Sequence, residues 1–161
     1  MEDAIREVEL ETMLLGRHLT RIGSEGGTTR RRLDRSAYTL LSRLMIEGPM
    51  SIGELSEAFD LDTSTVHRQT ASAMRDGLVE RIPDPDGGLA RKFRVTDEGR
   101  DRVEAERDAN TVALGRIFRD WDDTDVTRLA ELLGRFNSDI ESLSGHPWPR
   151  GDRPAPSTTH P

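Results

Sequence analysis

The sequence predicts a mainly α chain carrying one small β-hairpin, and three observations predict it. Apolar residues recur at steps of three and four through six segments. Between residues 78 and 96 that rhythm gives way to alternation on either side of Pro83-Asp84-Pro85-Asp86-Gly87-Gly88, a dense turn signal. Asp34, Ser51, Asp62, Thr96 and Asp122 each stand just ahead of a helical segment, where a short oxygen-bearing side chain can cap it.

The first helix, over residues 3–22, carries Ile5, Val8, Leu15, Leu19 and Ile22 on one stripe, with Met13 and Leu14 alongside. Such a helix is too short to stand alone and must pack on its own domain or on a second copy. Gly23, Gly26 and Gly27 end it, and Arg30, Arg31, Arg32 and Arg35 form a basic patch that reads equally as solvated charge or phosphate contact. Asp34 opens the second helix, whose inward face is Ala37, Tyr38, Leu40, Leu41, Leu44 and Met45, and Gly48-Pro49 stops it. Ser51-Ile-Gly-Glu54 reads as a capping box, a serine and a glutamate each satisfying the other's backbone N–H. The short helix it opens turns Ile52, Leu55, Ala58 and Phe59 inward.

After the turn Asp60-Leu61-Asp62 comes the helix around which the rest is organised. Val66, Thr70, Ala73 and Met74 fall on its core side, leaving Thr63, Ser64, Thr65, His67, Arg68 and Ser72 outside, with no acid between Thr63 and Arg75. Short hydroxyls, an arginine and a glutamine at the leading end of a helix suit the DNA major groove. Gly77 ends it. Residues 78–82 and 92–96 read as strands, Phe93 and Val95 on one face of the second, Lys92 and Arg94 on the other. Helix, turn, helix and a basic-sided hairpin are together a winged helix-turn-helix pattern. Thr96 then caps a helix with Val103, Ala109, Val112, Ala113, Ile117, Phe118 and Trp121 as apolar positions. Asp122 caps a last one striped by Val126, Leu129, Leu132, Leu133, Phe136, Ile140 and Leu143. Five of the eight prolines lie from Pro147 onward, so residues 146–161 are expected to be a disordered tail.

Composition narrows the function. The absence of cysteine excludes disulfides, zinc-thiolate sites and a thiol nucleophile. No apolar run reaches a membrane span and no signal-peptide pattern opens the chain, so a soluble, cytoplasmic protein is expected. The net charge of −7 argues against a general nucleic-acid coater. It leaves room for a specific DNA binder, because charge acts over about 8 Å in physiological salt and the acids cluster at residues 2–11, 97–108 and 120–125, away from the outward helix. His18, His67, His146 and His160 form no ligand spacing. Asp122, Asp123 and Asp125 are explained by helix capping and the helix dipole. Gly87-Gly88 is a turn without a following helix, and no serine or threonine has a nucleophile context, so neither metal, cofactor nor catalysis is expected.

The chain resembles the MarR family of bacterial transcription regulators. The resemblance is carried by Asp34-Arg-Ser-Ala-Tyr-Thr-Leu-Leu41, Ser51-Ile-Gly-Glu-Leu-Ser-Glu-Ala58, Asp62-Thr-Ser-Thr-Val-His-Arg68, Gly77-Leu-Val-Glu-Arg81, Asp84-Pro85 and Val95-Thr-Asp-Glu-Gly99. The implied organisation is a dimerisation helix and basic loop at 1–33, a winged helix-turn-helix at 34–96, dimerisation helices at 97–145 and the tail at 146–161. The implied function is a homodimeric, sequence-specific regulator of double-stranded DNA, a repressor at a near-palindromic operator released by a small-molecule effector. A winged-helix module that binds protein instead of DNA is the alternative.

By that resemblance Thr63, Ser64, Thr65, His67, Arg68 and Gln69 form the reading surface. Arg68 is matched to a guanine edge, Ser64 and Thr65 to phosphate; Gln69 is open between an adenine contact and the core edge. Arg91, Lys92 and Arg94 are the expected wing contacts. Many members carry Asp-Arg-Arg in the wing where this chain has Gly87, Gly88 and Leu89, which leaves Arg91 as the nearest substitute. An effector pocket would draw on Met13, His18, Tyr38 and residues 112–118, which read as readily as core.

Overall fold

A computed structural model describes residues 1–19 and 32–150. Its elements are α1 (Glu2–Leu19), α2 (Arg35–Glu47), β1 (Met50–Ser51), α3 (Ile52–Phe59), α4 (Thr63–Arg75), β2 (Val79–Pro83), β3 (Arg91–Val95), α5 (Asp97–Ile117) and α6 (Asp123–Ser144). The fold is mainly helical with a small antiparallel wing, as the periodicities predict. The chain divides into two units, one of Met1–Arg32 with Ala105–Asp120, the other of Leu33–Glu104 with Trp121–Pro161.

The second unit holds the core. Leu40, Leu41 and Leu44 of α2, Leu55 of α3, Val66 and Ala73 of α4 and Leu78, Val79, Phe93 and Val95 around the wing close on one another, with Val103 of α5. Ile52, Ala58, Phe59, Tyr38 and Met45 pack at its margin. Thr70 is buried among these groups because its hydroxyl donates to the Val66 carbonyl at 2.9 Å and so carries no unmet polar group inside. The sheet order is β1-β3-β2, with Met50 opposite Phe93 and Arg81 opposite Phe93 on the other edge. β1 has no sequence signal of its own: two residues become a strand only because β3 supplies the partner.

Local chemistry sets the helix starts. Asp34 accepts from the Ala37 N–H at 2.8 Å, and Thr96 Oγ1 from the Gly99 N–H at 3.0 Å. At α3 the capping box is complete: the Glu54 N–H reaches Ser51 Oγ at 3.2 Å and the Ser51 N–H reaches Glu54 Oε2 at 2.6 Å. Asp62 and Asp122 occupy the cap positions of α4 and α6, but neither side chain makes a capping hydrogen bond. The tight turn before α4 runs through Asp60 at φ 51°, a left-handed conformation that aspartate tolerates. Gly77, at φ 71°, reverses the chain into β2.

The donated Ser51 N–H holds the Glu54 carboxyl below its ordinary 4.5 against the opposing pull of burial, with Ser51 Oγ and Lys92 adding to the lowering. A lowered folded value means the box stabilises fully above that ordinary value and is lost as pH falls through the folded one. Glu54→Ala is therefore expected to cost about 0.5 kcal/mol at neutral pH, the low end for a capping group that water reaches. Urea melts against pH check this: the deficit should shrink below about pH 4.5. A deficit unchanged down to acid pH counts against the ionised box.

The basic patch is only partly described, and the segment after α6 departs from expectation. Ile22, Arg30 and Arg31 lie outside the described residues, and Arg32 is engaged by Glu106 and, at 3.1 Å, by Asn110. Residues 146–150 are not a free tail. Arg43, buried in α2, donates to the Pro147 carbonyl at 3.1 Å, and its guanidinium lies 5.3 Å from the centre of the Trp148 ring. Trp148 in turn sits 6.3 Å from Phe59 of α3. Glu141 of α6 accepts the Trp148 N–H at 3.2 Å and both Arg150 Nη atoms at 2.6 Å. The Arg150 hydrogen bonds hold the Glu141 carboxyl below the usual carboxylate range. Proline content suggested disorder here; the indole supplies the apolar surface that composition alone did not weigh.

The remaining apolar stripes are uncovered. Neither α1 nor α6 contains a buried residue. Ile5, Val8 and Met13 on the first, and Leu132, Leu133, Phe136 and Ile140 on the second, are exposed. On α5, Val112, Leu114 and Ile117 are exposed as well. No described helix is long and apolar enough to cross a membrane.

Candidate nucleic-acid interface

α4 buries Val66, Thr70 and Ala73 and turns its other side to solvent. Thr63, Ser64, His67 and Arg68 are exposed; Thr65 is half-buried. The Arg68 guanidinium donates from Nη2 to Thr65 Oγ1 at 2.9 Å, one turn back, which holds it over the leading end of the helix. Gln69 is half-buried and borders a hollow of about 410 Å³ shared with Arg35, Thr39 and Phe59, so the core-edge alternative describes its position. Met74 departs from the expectation that it faces the core. It is 41% exposed, because the wing stands away from the last turn of α4 and leaves an open groove of about 540 Å³.

The wing sorts its cations by face. Antiparallel pairing sets Arg81 opposite Phe93 and Pro83 opposite Arg91, so these four share one side of the ribbon. Glu80, Ile82, Lys92 and Arg94 share the other. On that second side the charge is spent within the protein. Arg94 is bound by Glu80 directly across the ladder at 2.7 and 3.0 Å. Lys92 is drawn to Glu54 and Asp84, each at 3.4 Å, and to Asp86 at 3.7 Å. Burial alone would lower the Lys92 ammonium, but its bonds and charge contacts with Glu54 and Asp84 prevail and hold it above its ordinary value. Lys92 is thus enclosed by carboxylates, while Arg94, paired with Glu80, stays exposed. Alternation placed the two together but could not show three carboxylates from α3 and the turn converging on Lys92.

Arg91 and Arg81 are exposed on the first side and both border the groove beneath α4. Sequence reasoning passed over Arg81; the signal that finds it is its register with Phe93, available only once the strands are paired. At the tip, the Gly87 N–H donates to the Asp84 carbonyl at 3.0 Å and Leu89 is fully exposed, so no cation stands at the outermost turn.

Of the residues considered for an effector, Met13 and His18 are exposed on α1, while Tyr38 is half-buried on α2 in the other unit. Among the described residues no group of three or more histidines, aspartates or glutamates is placed to hold a metal ion.

A compact helix-turn-helix with its second helix outward and a hairpin wing beside it is a winged-helix DNA-binding architecture. Comparison with known proteins agrees. Residues 33–88 match the model of the MarR family. The Bacillus subtilis HTH-type transcriptional regulator YxaD is 33% identical over 105 residues, spanning 65% of this chain and 73% of that protein. The Pseudomonas putida HTH-type transcriptional repressor IacR is 27% identical over 111 residues, 69% of this chain and 66% of that one. A MarR family protein from Bacillus stearothermophilus superposes with a TM-score of 0.74 at 21% identity, covering 87% of this chain and 97% of its own. The chain belongs to the MarR family of winged helix-turn-helix transcription regulators.

Proposed function

We propose that the protein is a homodimeric transcription regulator of the cytoplasm that represses by occupying a near-palindromic operator, α4 of each copy entering the major groove. The observation that carries this reading is the outward face of α4, with Arg68 held by Thr65 and no acid along it. Arg68 reads a base edge, guanine by preference; Thr63, Ser64 and Thr65 hold phosphate, and His67 completes the surface. The uncovered stripes of α1, α5 and α6 support the dimer, since apolar faces of that length are hidden in a stable protein. In a two-fold pair the reading helices lie about 34–36 Å apart, one turn of duplex. The named repressor among its relatives supports repression. Family membership alone supports release by a small effector, with Met13, His18 and Tyr38 as the side chains to test.

The deciding experiment is binding to duplex DNA from upstream of its own coding sequence, against a scrambled duplex of equal composition. Arg68→Ala is expected to cost about 1–3 kcal/mol on the first and to level the preference between them. Weak, equal binding to both that the substitution leaves unchanged would make the protein-binding module the better reading.

A further inference from the structure

We infer that Trp148 is a positioning residue for the reading helix: docked against Arg43 and Phe59, it braces the turn from which α4 starts. This rests on the DNA-binding reading above and adds a control seated in the segment beyond the last helix, away from the reading face itself. Phe59 ends α3, and the next residue, Asp60, is the left-handed joint that redirects the chain toward α4. Backbone of that kind keeps its shape where its surroundings hold it. From within, the Asp60 and Leu61 N–H groups donate back to the Glu57 and Ser56 carbonyls at 3.2 and 3.1 Å, and Ser56 Oγ donates to the Leu61 carbonyl.

The core gives the joint little more. Phe59 is only half-buried, and with Leu61 of the turn and Gln69 of α4 it borders the open hollow of about 410 Å³. The Trp148 indole, 6.3 Å from the Phe59 ring and inclined to it at 34°, brings support from a distant part of the chain. The indole is itself fixed. The Arg43 guanidinium, buried in α2 and paired with Glu47, stands 5.3 Å from the ring centre and donates to the Pro147 carbonyl. A guanidinium so buried needs its donors met, and residues 147–148 bring it a carbonyl and a π-face together. Glu141 takes the Trp148 N–H and both Arg150 Nη atoms, which fixes the segment to α6 as well. Undocking would loosen the end of α3 and the start of α4 and leave the core from Leu40 to Val103 intact.

The test compares Trp148→Ala, Trp148→Phe and Arg150→Ala with the parent, each as the full chain, by amide hydrogen exchange and by anisotropy of a labelled duplex. In Trp148→Ala the Asp60 and Leu61 amides should exchange faster by about 2–30-fold, the span of couplings carried between packed elements, while the β2–β3 ladder keeps its rates. Affinity for the duplex from upstream of the coding sequence should fall within that same range, with the mass by light scattering unchanged. Trp148→Phe should recover most of both, since a smaller ring still meets Phe59 and Arg43. Arg150→Ala should fall between, since its bonds run to Glu141 and the Trp148 carbonyl and act on the turn through the indole. The inference is overturned if Trp148→Ala lowers the melting midpoint but leaves exchange at the turn or affinity at the parental value. It is overturned equally if affinity falls together with the mass, which would assign the effect to assembly. A parent that binds no duplex defeats the DNA-binding reading, while exchange at Asp60 and Leu61 still decides whether the indole braces the turn.

Discussion

Replacing Phe136 and Ile140 together by aspartate is expected to leave the protein monomeric and to lower its affinity for a two-half-site duplex by about 10²–10⁴-fold. The two side chains lie one turn apart on α6 and are 43% and 47% exposed in the single chain, on a helix that buries nothing of its own. In a two-fold interface each substitution occurs twice. Every carboxylate must then be stripped of water against apolar neighbours, which costs several kcal/mol per ion. The winged lobe has its own core, from Leu40 to Val103, so it should remain folded. Light scattering reads the mass, circular dichroism the helix content, and anisotropy the affinity. A double variant that stays dimeric with parental affinity would place the interface elsewhere.

Gly99→Ala is expected to destabilise the fold by about 3 kcal/mol, at the upper end for overpacking, and to lower the melting midpoint by roughly 6–12 °C. A methyl group at this position would stand 2.1 Å from the Leu78 carbonyl oxygen and 2.9 Å from Val95 Cγ1. The first of these is backbone and cannot rotate away. It is also held in place, since the Leu78 carbonyl accepts the Thr96 N–H at 3.1 Å, and Thr96 Oγ1 donates to the Gly77 carbonyl at 2.7 Å. The start of α5 would have to lift from the base of the wing. A thermal melt checks this, and a midpoint within about 2 °C of the parent would show that the joint yields more easily than its bonding suggests.

Much of the lobe could be read directly from residues because the forces that set it are local. The Ser51 and Glu54 box, the Asp34 and Thr96 caps and the alternation of Phe93 and Val95 each lie within a few positions of what they control. The outward placement of Ser64, His67 and Arg68 follows from the phase of Val66, Thr70 and Ala73. What escaped depends on residues distant in the chain. Lys92 looked free because Glu54 lies far upstream of it and only the folded turn brings Asp84 and Asp86 back onto it. Met74 kept the right helical phase for burial and still met a groove, since phase gives direction but not what stands opposite. Arg81 stood in the sequence only as part of Gly77-Leu-Val-Glu-Arg81, and pairing is what sets it on the same side of the ribbon as Arg91. Trp148 was hidden in a proline-rich context, its two neighbours Arg43 and Phe59 being about a hundred positions away.

The anchored segment 146–150 gives α6 a second attachment to the reading lobe. One link runs along the polypeptide through α5; the other is the clasp of Trp148 and Pro147 on Arg43 and Phe59, pinned back to α6 by Glu141 and Arg150. With its C-terminal end clasped in this way, α6 cannot shift without dragging α2 and α3, or first unfastening the clasp. In the proposed dimer, the spacing between the two reading helices is thereby tied to the seating of one indole ring.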